Sequence, residues 1–232
     1  MNLPANLPNV PSSVSNEVST EPLFTTRLQI VHPNSKVLVE WDSDDRPPSP
    51  GDLWLGPPGG TNLGSSVAAS PLAQRDHALQ LNGSEVALES FKRSATGSPP
   101  KDVDEEIFRK IEASPKDPTG KRMNHVGKDI LFYLPEWKTF TILFFKGTAR
   151  PQAAMARQYF PSDKSKNFKK CRITSQMVQG RGTQRWWIPV VTLDGDGLFA
   201  AEDNLPTPKQ LMEELTKFLN PLPKGEGRDL SR

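Results

Sequence analysis

Cysteine is nearly absent: Cys171 is the only one in 232 residues. A lone thiol excludes an intrachain disulfide framework and a zinc site built on several cysteines. Apolar groups are also scarce. Hydrophobic residues make up 35% of the chain, against roughly 45–50% in an average domain when glycine is counted. With 23 prolines besides, much of the chain is not expected to pack into a core. No apolar run approaches the roughly 18 residues of a membrane-crossing helix; the longest candidate, Phe140–Phe145, is six. The start, MNLPANLPNVPSS, lacks a basic stretch and an apolar stretch, so no secretory signal is read there. The expected location is the cytosol or nucleus. The phosphate-loop, dinucleotide, nucleophile-elbow and zinc-protease motifs do not occur either.

What is present divides unevenly. Residues 1–100 hold six basic and ten acidic side chains, thirteen prolines and four aromatics: Phe24, Trp41, Trp54 and Phe91. Residues 101–232 hold 23 basic and 17 acidic side chains and fourteen aromatics. The halves therefore carry net charges of −4 and +6. Ordering a residue costs about 1–2 kcal/mol of backbone entropy, which the sparse first half offers little apolar surface to offset. The expectation is a largely disordered, acidic, Pro-rich arm with one short element. In that element, at 23–41, Phe24, Leu28 and Ile30, then Val37, Val39 and Trp41, alternate around His32-Pro33-Asn34-Ser35 and predict a β-hairpin.

The second half is better punctuated. Asp102-Val103-Asp104-Glu105 opens a predicted helix that Pro115 stops. Strand-like runs follow at Asp129–Leu134, Lys138–Phe145, Lys170–Val178 and Gln184–Leu193, with a short helix from Pro151 to Tyr159. The last helix has the fullest signature. Thr207 and Gln210 form a capping box around Pro208, Leu211, Met212, Leu215, Phe218 and Leu219 share a stripe, and Pro221 ends it. The expected fold is α+β. A small domain of about five strands with an N-terminal and a C-terminal helix, at 101–220, follows a tail at 1–22 and a linker at 42–100 and precedes a tail at 221–232.

The most informative segment is Lys146–Arg185. Its 40 residues carry ten basic side chains and one acid, Asp163, a local charge of +9 in a chain of +2. Tyr159, Phe160, Phe168, Trp186 and Trp187 are interleaved with them. Cations neutralise phosphates, and ring faces stack on exposed bases at about 1–3 kcal/mol each. The residues expected to contact phosphate are Lys164, Lys166, Lys169, Lys170, Arg172, Arg181 and Arg185; those expected to stack are Phe168 and Trp186 or Trp187. Neighbouring tryptophans on a strand point to opposite faces, so one of the pair should be exposed, covered by another element or at an interface. With no recognition-helix motif visible, RNA or a single strand is favoured over duplex DNA.

Other candidates carry less. His32, His77 and His125 are isolated, and no partner makes any of them a base. Cys171 lies between Lys170 and Arg172, which favours a thiolate, but its β-rich setting favours a small core residue. Asp194-Gly195-Asp196-Gly197 fails the calcium-loop pattern at Leu198 and Leu205 and reads as a turn. No metal or cofactor is expected. Ser49, Ser70, Ser98 and Ser114 each precede proline, and phosphorylation there would deepen the contrast between the acidic arm and the basic belt. The function expected is that of a non-enzymatic regulatory or accessory protein that binds nucleic acid. The alternative is a scaffold or matrix-like protein, of a layout common in viral accessory proteins, whose basic belt meets an anionic membrane or an acidic partner.

Overall fold

The computed structural model describes residues 26–33, 35–39, 47–56, 60–82, 85–93, 103–114, 122–161, 168–180, 183–200 and 203–219. Its elements are β1 (Thr26–Ile30), α1 (Lys36–Val39), β2 (Leu53–Leu55), β3 (Thr61–Gly64), β4 (Ser66–Asn82), β5 (Glu85–Arg93) and α2 (Val103–Ala113). They continue with β6 (Arg122–Leu134), β7 (Thr139–Lys146), a 3-10 turn at Gly147–Ala149, α3 (Arg150–Arg157), β8 (Cys171–Gln179), β9 (Arg185–Leu193) and α4 (Pro208–Leu219). All nine strands form one mixed sheet, in the order β3-β2-β1-β7-β6-β4-β8-β9 with β5 on β4. The sheet is curled into a half-barrel. One ion pair makes the curl plain: Arg27 on β1 meets Glu89 on β5 at 3.0 Å, although β7, β6 and β4 lie between.

This architecture corrects the expected five-stranded α+β domain behind a disordered arm. β1 to β5 come from the first half of the chain, and β4 is the pivot of the sheet. It pairs with β8 through Ser66–Ala69, with β6 through Ser70–Asn82 and with β5 through Arg75–Asn82. Hydrophobic content understates such a strand. Ala69, Ala73 and Ala78 are buried although they are small, and Arg75, Asp76 and His77 find partners within the sheet. Pro71 is tolerated because the β4–β6 register shifts between Pro71 and Ala73. The expected hairpin is replaced as well. β1 pairs with β7 in parallel and with β2 antiparallel, and Lys36–Val39 is helical. Phe24 and Trp41 lie outside the described residues, as do the tails.

The strongest local signals of the second half do form their elements. Thr207 Oγ1 accepts from the Gln210 N–H at 3.3 Å while Gln210 Oε1 accepts from the Thr207 N–H at 3.0 Å, so the capping box opens α4. Leu211, Leu215 and Phe218 are buried, whereas Met212 is 55% exposed and leaves the stripe.

Alternation along β6 sorts the two sides of the sheet. Ile130, Phe132 and Leu134 join Leu28, Leu53, Phe145, Ile173 and Val191 in the larger core, which α3 caps with Ala153 and Ala156. Leu131 and Tyr133 face the other way, onto Leu211, Leu215 and Phe218 of α4. α2 covers Ala78 with Phe108 and Ile111.

Gly127 matters where β6 passes β7. A Cβ there would strike the Phe145 carbonyl oxygen and come within 2.7 Å of the Phe144 ring. Because a carbonyl in the ladder cannot move aside, Gly127→Ala is expected to cost about 3 kcal/mol, the upper end for overpacking. Urea denaturation should show a lower midpoint at unchanged slope.

Candidate nucleic-acid interface and a buried ionic network

The strands β8 and β9 carry most of the expected site, and the structure divides it. Lys164, Lys166 and Arg181 lie outside the described residues. Of the others, two cations are engaged internally. Arg172 places Nε and Nη2 at 3.2 and 3.0 Å from Asp194 Oδ1, with Nη2 also 3.2 Å from Oδ2. Lys170 Nζ lies 3.9 Å from Asp203 and 5.9 Å from the centre of the Phe199 ring. Lys169 is half-buried and Arg185 is exposed; neither has a carboxylate partner among the described residues.

The rings do not form one track. Phe168 packs with α4 on one side of the sheet, whereas Trp186 and Trp187 pack against the larger core. Both tryptophans are half-buried, each covered by another element. The Trp186 indole N–H donates to Thr148 Oγ1 at 2.8 Å. Trp187 lies over Gly51, whose φ is +99° and whose Cβ, were there one, would stand 2.9 Å from the ring. Ser175 also donates its hydroxyl to the Gly51 carbonyl. The turn before β2 is thereby pinned to the β8–β9 hairpin.

The remaining exposed cations lie on or next to α3 in the chain, apart from Arg185 at the start of β9. Lys146, Arg150, Arg157 and Arg185 are exposed, and no acid occurs in Lys146–Arg157. Arg150 donates Nε and Nη2 to the Val126 carbonyl at 3.0 and 2.6 Å. Cys171 is fully buried, and desolvation, helped by Asp194, pushes its thiol up to about 12. The thiolate is disfavoured at neutral pH, which fits a small core residue. Asp194 and Asp196 form a turn: Gly197 N–H donates to the Asp194 carbonyl and Leu198 N–H to Asp196 Oδ1. No group of three potential metal ligands occurs among the described residues. Of the Ser-Pro positions, Ser70 is fully buried in β4 and out of reach of a kinase, and Ser98 lies outside the described residues.

The best-defined polar cluster lies elsewhere, in the stretch read as disordered arm. His77 on β4 sits between two carboxylates. Nδ1 is 3.0 Å from Asp129 Oδ1, and Nε2 is 3.0 Å from Glu89 Oε1 in an ion-pair contact rather than an aligned hydrogen bond. Phe91 and Phe144 flank the ring, with centroids 4.6 and 4.5 Å away. Arg75 contacts Asp129 Oδ2 through Nε at 3.2 Å and Nη2 at 3.1 Å, and donates Nη1 to the Phe218 carbonyl of α4 at 2.7 Å. Its guanidinium lies over the Phe91 and Phe218 rings, 3.8 and 4.5 Å from their centres. Arg27 completes the chain by holding Glu89.

Burial pulls the His77 pKa down, but Asp129 and Glu89 outweigh it and the net shift is upward. Burial works against Asp129 likewise, and His77 and Arg75 carry it below the ordinary carboxylate value. With both rings packed on His77 and no solvent exposure, the cluster holds α4 to the sheet instead of meeting a substrate. Only one sequence signal marks it: a lone acid, Asp129, heading the apolar run Ile130–Leu134.

Among known proteins, no family model matches this chain, no curated protein matches its sequence, and no solved structure matches its fold.

Proposed function

We propose that the chain is a non-enzymatic accessory protein that binds nucleic acid, RNA or a single strand, through the basic surface around α3, β8 and β9. One observation carries this reading. In a segment of net charge +9, Lys146, Arg150, Arg157, Lys169 and Arg185 have no carboxylate ion pair among the described residues. A run of cations that the fold leaves unneutralised is the electrostatic footprint of a polyanion site. Lys170 and Arg172, held by Asp203 and Asp194, contribute to the framework of that surface. Lys164, Lys166 and Arg181 extend the same segment in sequence.

The acidic first half is integral to the sheet, since β4 pairs with β6 and β8 and Asp76 with Lys128. Any test therefore needs the full chain. Fluorescence anisotropy with a mixed-sequence 20-nucleotide single-stranded RNA is expected to give a log K that falls linearly with log salt. Three to five engaged phosphates correspond to a slope of about −2 to −3.5, at roughly −0.7 per contact. Alanine at Arg157, Lys169 and Arg185 together should flatten that slope by about two. Arg172→Ala should change the melting temperature more than the slope. Exposed Met177, Leu193 and Leu198 near the same strands favour the scaffold reading instead; salt-insensitive, millimolar RNA binding with tight binding to anionic vesicles would establish it. Among the described residues no helix is long and apolar enough to cross a membrane.

A further inference from the structure

We propose that the corner where β1, β6 and β7 end is a phosphodiester seat, formed by His32, His125, Lys146 and Arg150, that takes up a proton when it fills. This rests on the nucleic-acid reading and gives it a specific place and a pH dependence. Lys146 is the last residue of β7 and stands opposite Gly127 on β6. His125 lies two residues along β6, on the same face. β7 then leaves the ladder at Gly147, whose φ is +54°, and the neighbouring Val126 carbonyl is taken by Arg150. A guanidinium has five N–H donors, so Arg150 keeps others for a ligand. β1 runs parallel to β7 with Leu28 opposite Leu143; continued past the end of β1, that register sets Val31 level with Lys146 and His32 level with Gly147.

Lys146 is close enough to both imidazoles for its charge to bear on them, Arg150 is tied to the residue beside His125, and none of the four has a carboxylate ion pair among the described residues. The acids nearby in the fold are committed. Glu89, on the same face two strands from His125 across Leu79, is held by His77 and Arg27. Asp129 is held by Arg75 and His77, and Asp76, on the opposite face, by Lys128. Without a counter-charge the bases suppress one another. Burial first, and then the charge of Lys146, lower the pKa of His32 and bring that of His125 to about 4. Lys146, though exposed, is lowered by the atoms packed around it. A phosphodiester reverses that balance by favouring the protonated imidazoles.

The test uses the full chain with oligouridylate, whose bases and diesters do not ionise between pH 5.5 and 7.5, so any proton taken up belongs to the protein. Sulfate, a dianion throughout that range, is the second probe, and the His32 and His125 ring signals in proton NMR are the readout. Oligouridylate affinity is expected to rise about tenfold from pH 7.5 to 5.5, the most that one proton taken up near pH 6.5 gives. Both probes should shift the His125 signal. Lys146→Ala should abolish the shift, and His125→Gln should reduce the pH dependence to what His32 contributes. Oligouridylate binding without proton uptake or a His125 shift overturns the seat and leaves the nucleic-acid reading standing on the other cations. Sulfate binding with the predicted shift, but no oligouridylate binding, keeps an anion seat and overturns the nucleic-acid reading. Neither probe binding overturns both.

Discussion

Asp129→Ala is expected to destabilise the protein by about 3–5 kcal/mol, the cost of leaving buried charges without their partner. Asp129 is fully buried and serves two cations at once, Arg75 through Oδ2 and His77 through Oδ1. Removing it leaves a guanidinium with 6% side-chain exposure without its carboxylate, and a fully buried imidazole with Glu89 alone. His77 escapes by losing its proton; Arg75 cannot, because an arginine stays charged in a protein. The damage should therefore spread through Arg75 to α4, whose Phe218 carbonyl and ring that guanidinium holds. Asp129→Asn keeps the shape and one acceptor and should cost less. Amide exchange near Leu215–Leu219 should accelerate in the alanine variant more than global unfolding explains. If exchange there is unchanged while stability falls, Arg75 does not hold α4 to the sheet.

The residues of this cluster explain why the sequence was only partly legible. α4 was readable because its stripe, its capping box and its terminating proline agree on one element. The run Ile130–Leu134 was readable as a strand, and its unbroken apolar character has a cause: α4 covers one face and the larger core fills the other. β4 was not readable, since its sequence, SVAASPLAQRDHALQLN, is small and charged. Its burial depends on partners far along the chain, Asp129 for Arg75 and His77, and Lys128 for Asp76. Composition cannot reveal a charge that will be neutralised across 50 residues of separation. The same blindness shaped the expected site. Charge density singled out the segment Lys146–Arg185, but it could not show that Asp194 and Asp203 hold Arg172 and Lys170, or that the sheet separates Phe168 from the two tryptophans.

The histidines should give stability a maximum near pH 6.5, with an acid and an alkaline limb of different origin. His77 has a folded pKa raised above 6.5 by Asp129 and Glu89. Its contribution is complete below 6.5 and fades as pH rises through the raised value, because the folded state must then release a proton that the unfolded state has already lost. His125 acts in the opposite sense. Its folded pKa of about 4 against an ordinary 6.5 means that the unfolded state gains a proton first as pH falls, so stability declines from pH 6.5 towards 4. For a half-exposed ring, screened by water, that limb is worth on the order of 1–2 kcal/mol. Asp129, whose pKa is lowered in the fold, adds a further loss below its ordinary value of 3.8. Thermal melts from pH 4 to 9 test the assignment. His125→Gln should raise the acid limb alone. His77→Gln should lower stability throughout and flatten the alkaline limb, since no raised imidazole remains to titrate. A wild-type melting temperature that climbs steadily to pH 9 would mean that His77 is neutral in the folded sheet. Arg75 alone would then compensate Asp129, and the clamp on α4 would be a single ion pair at every pH.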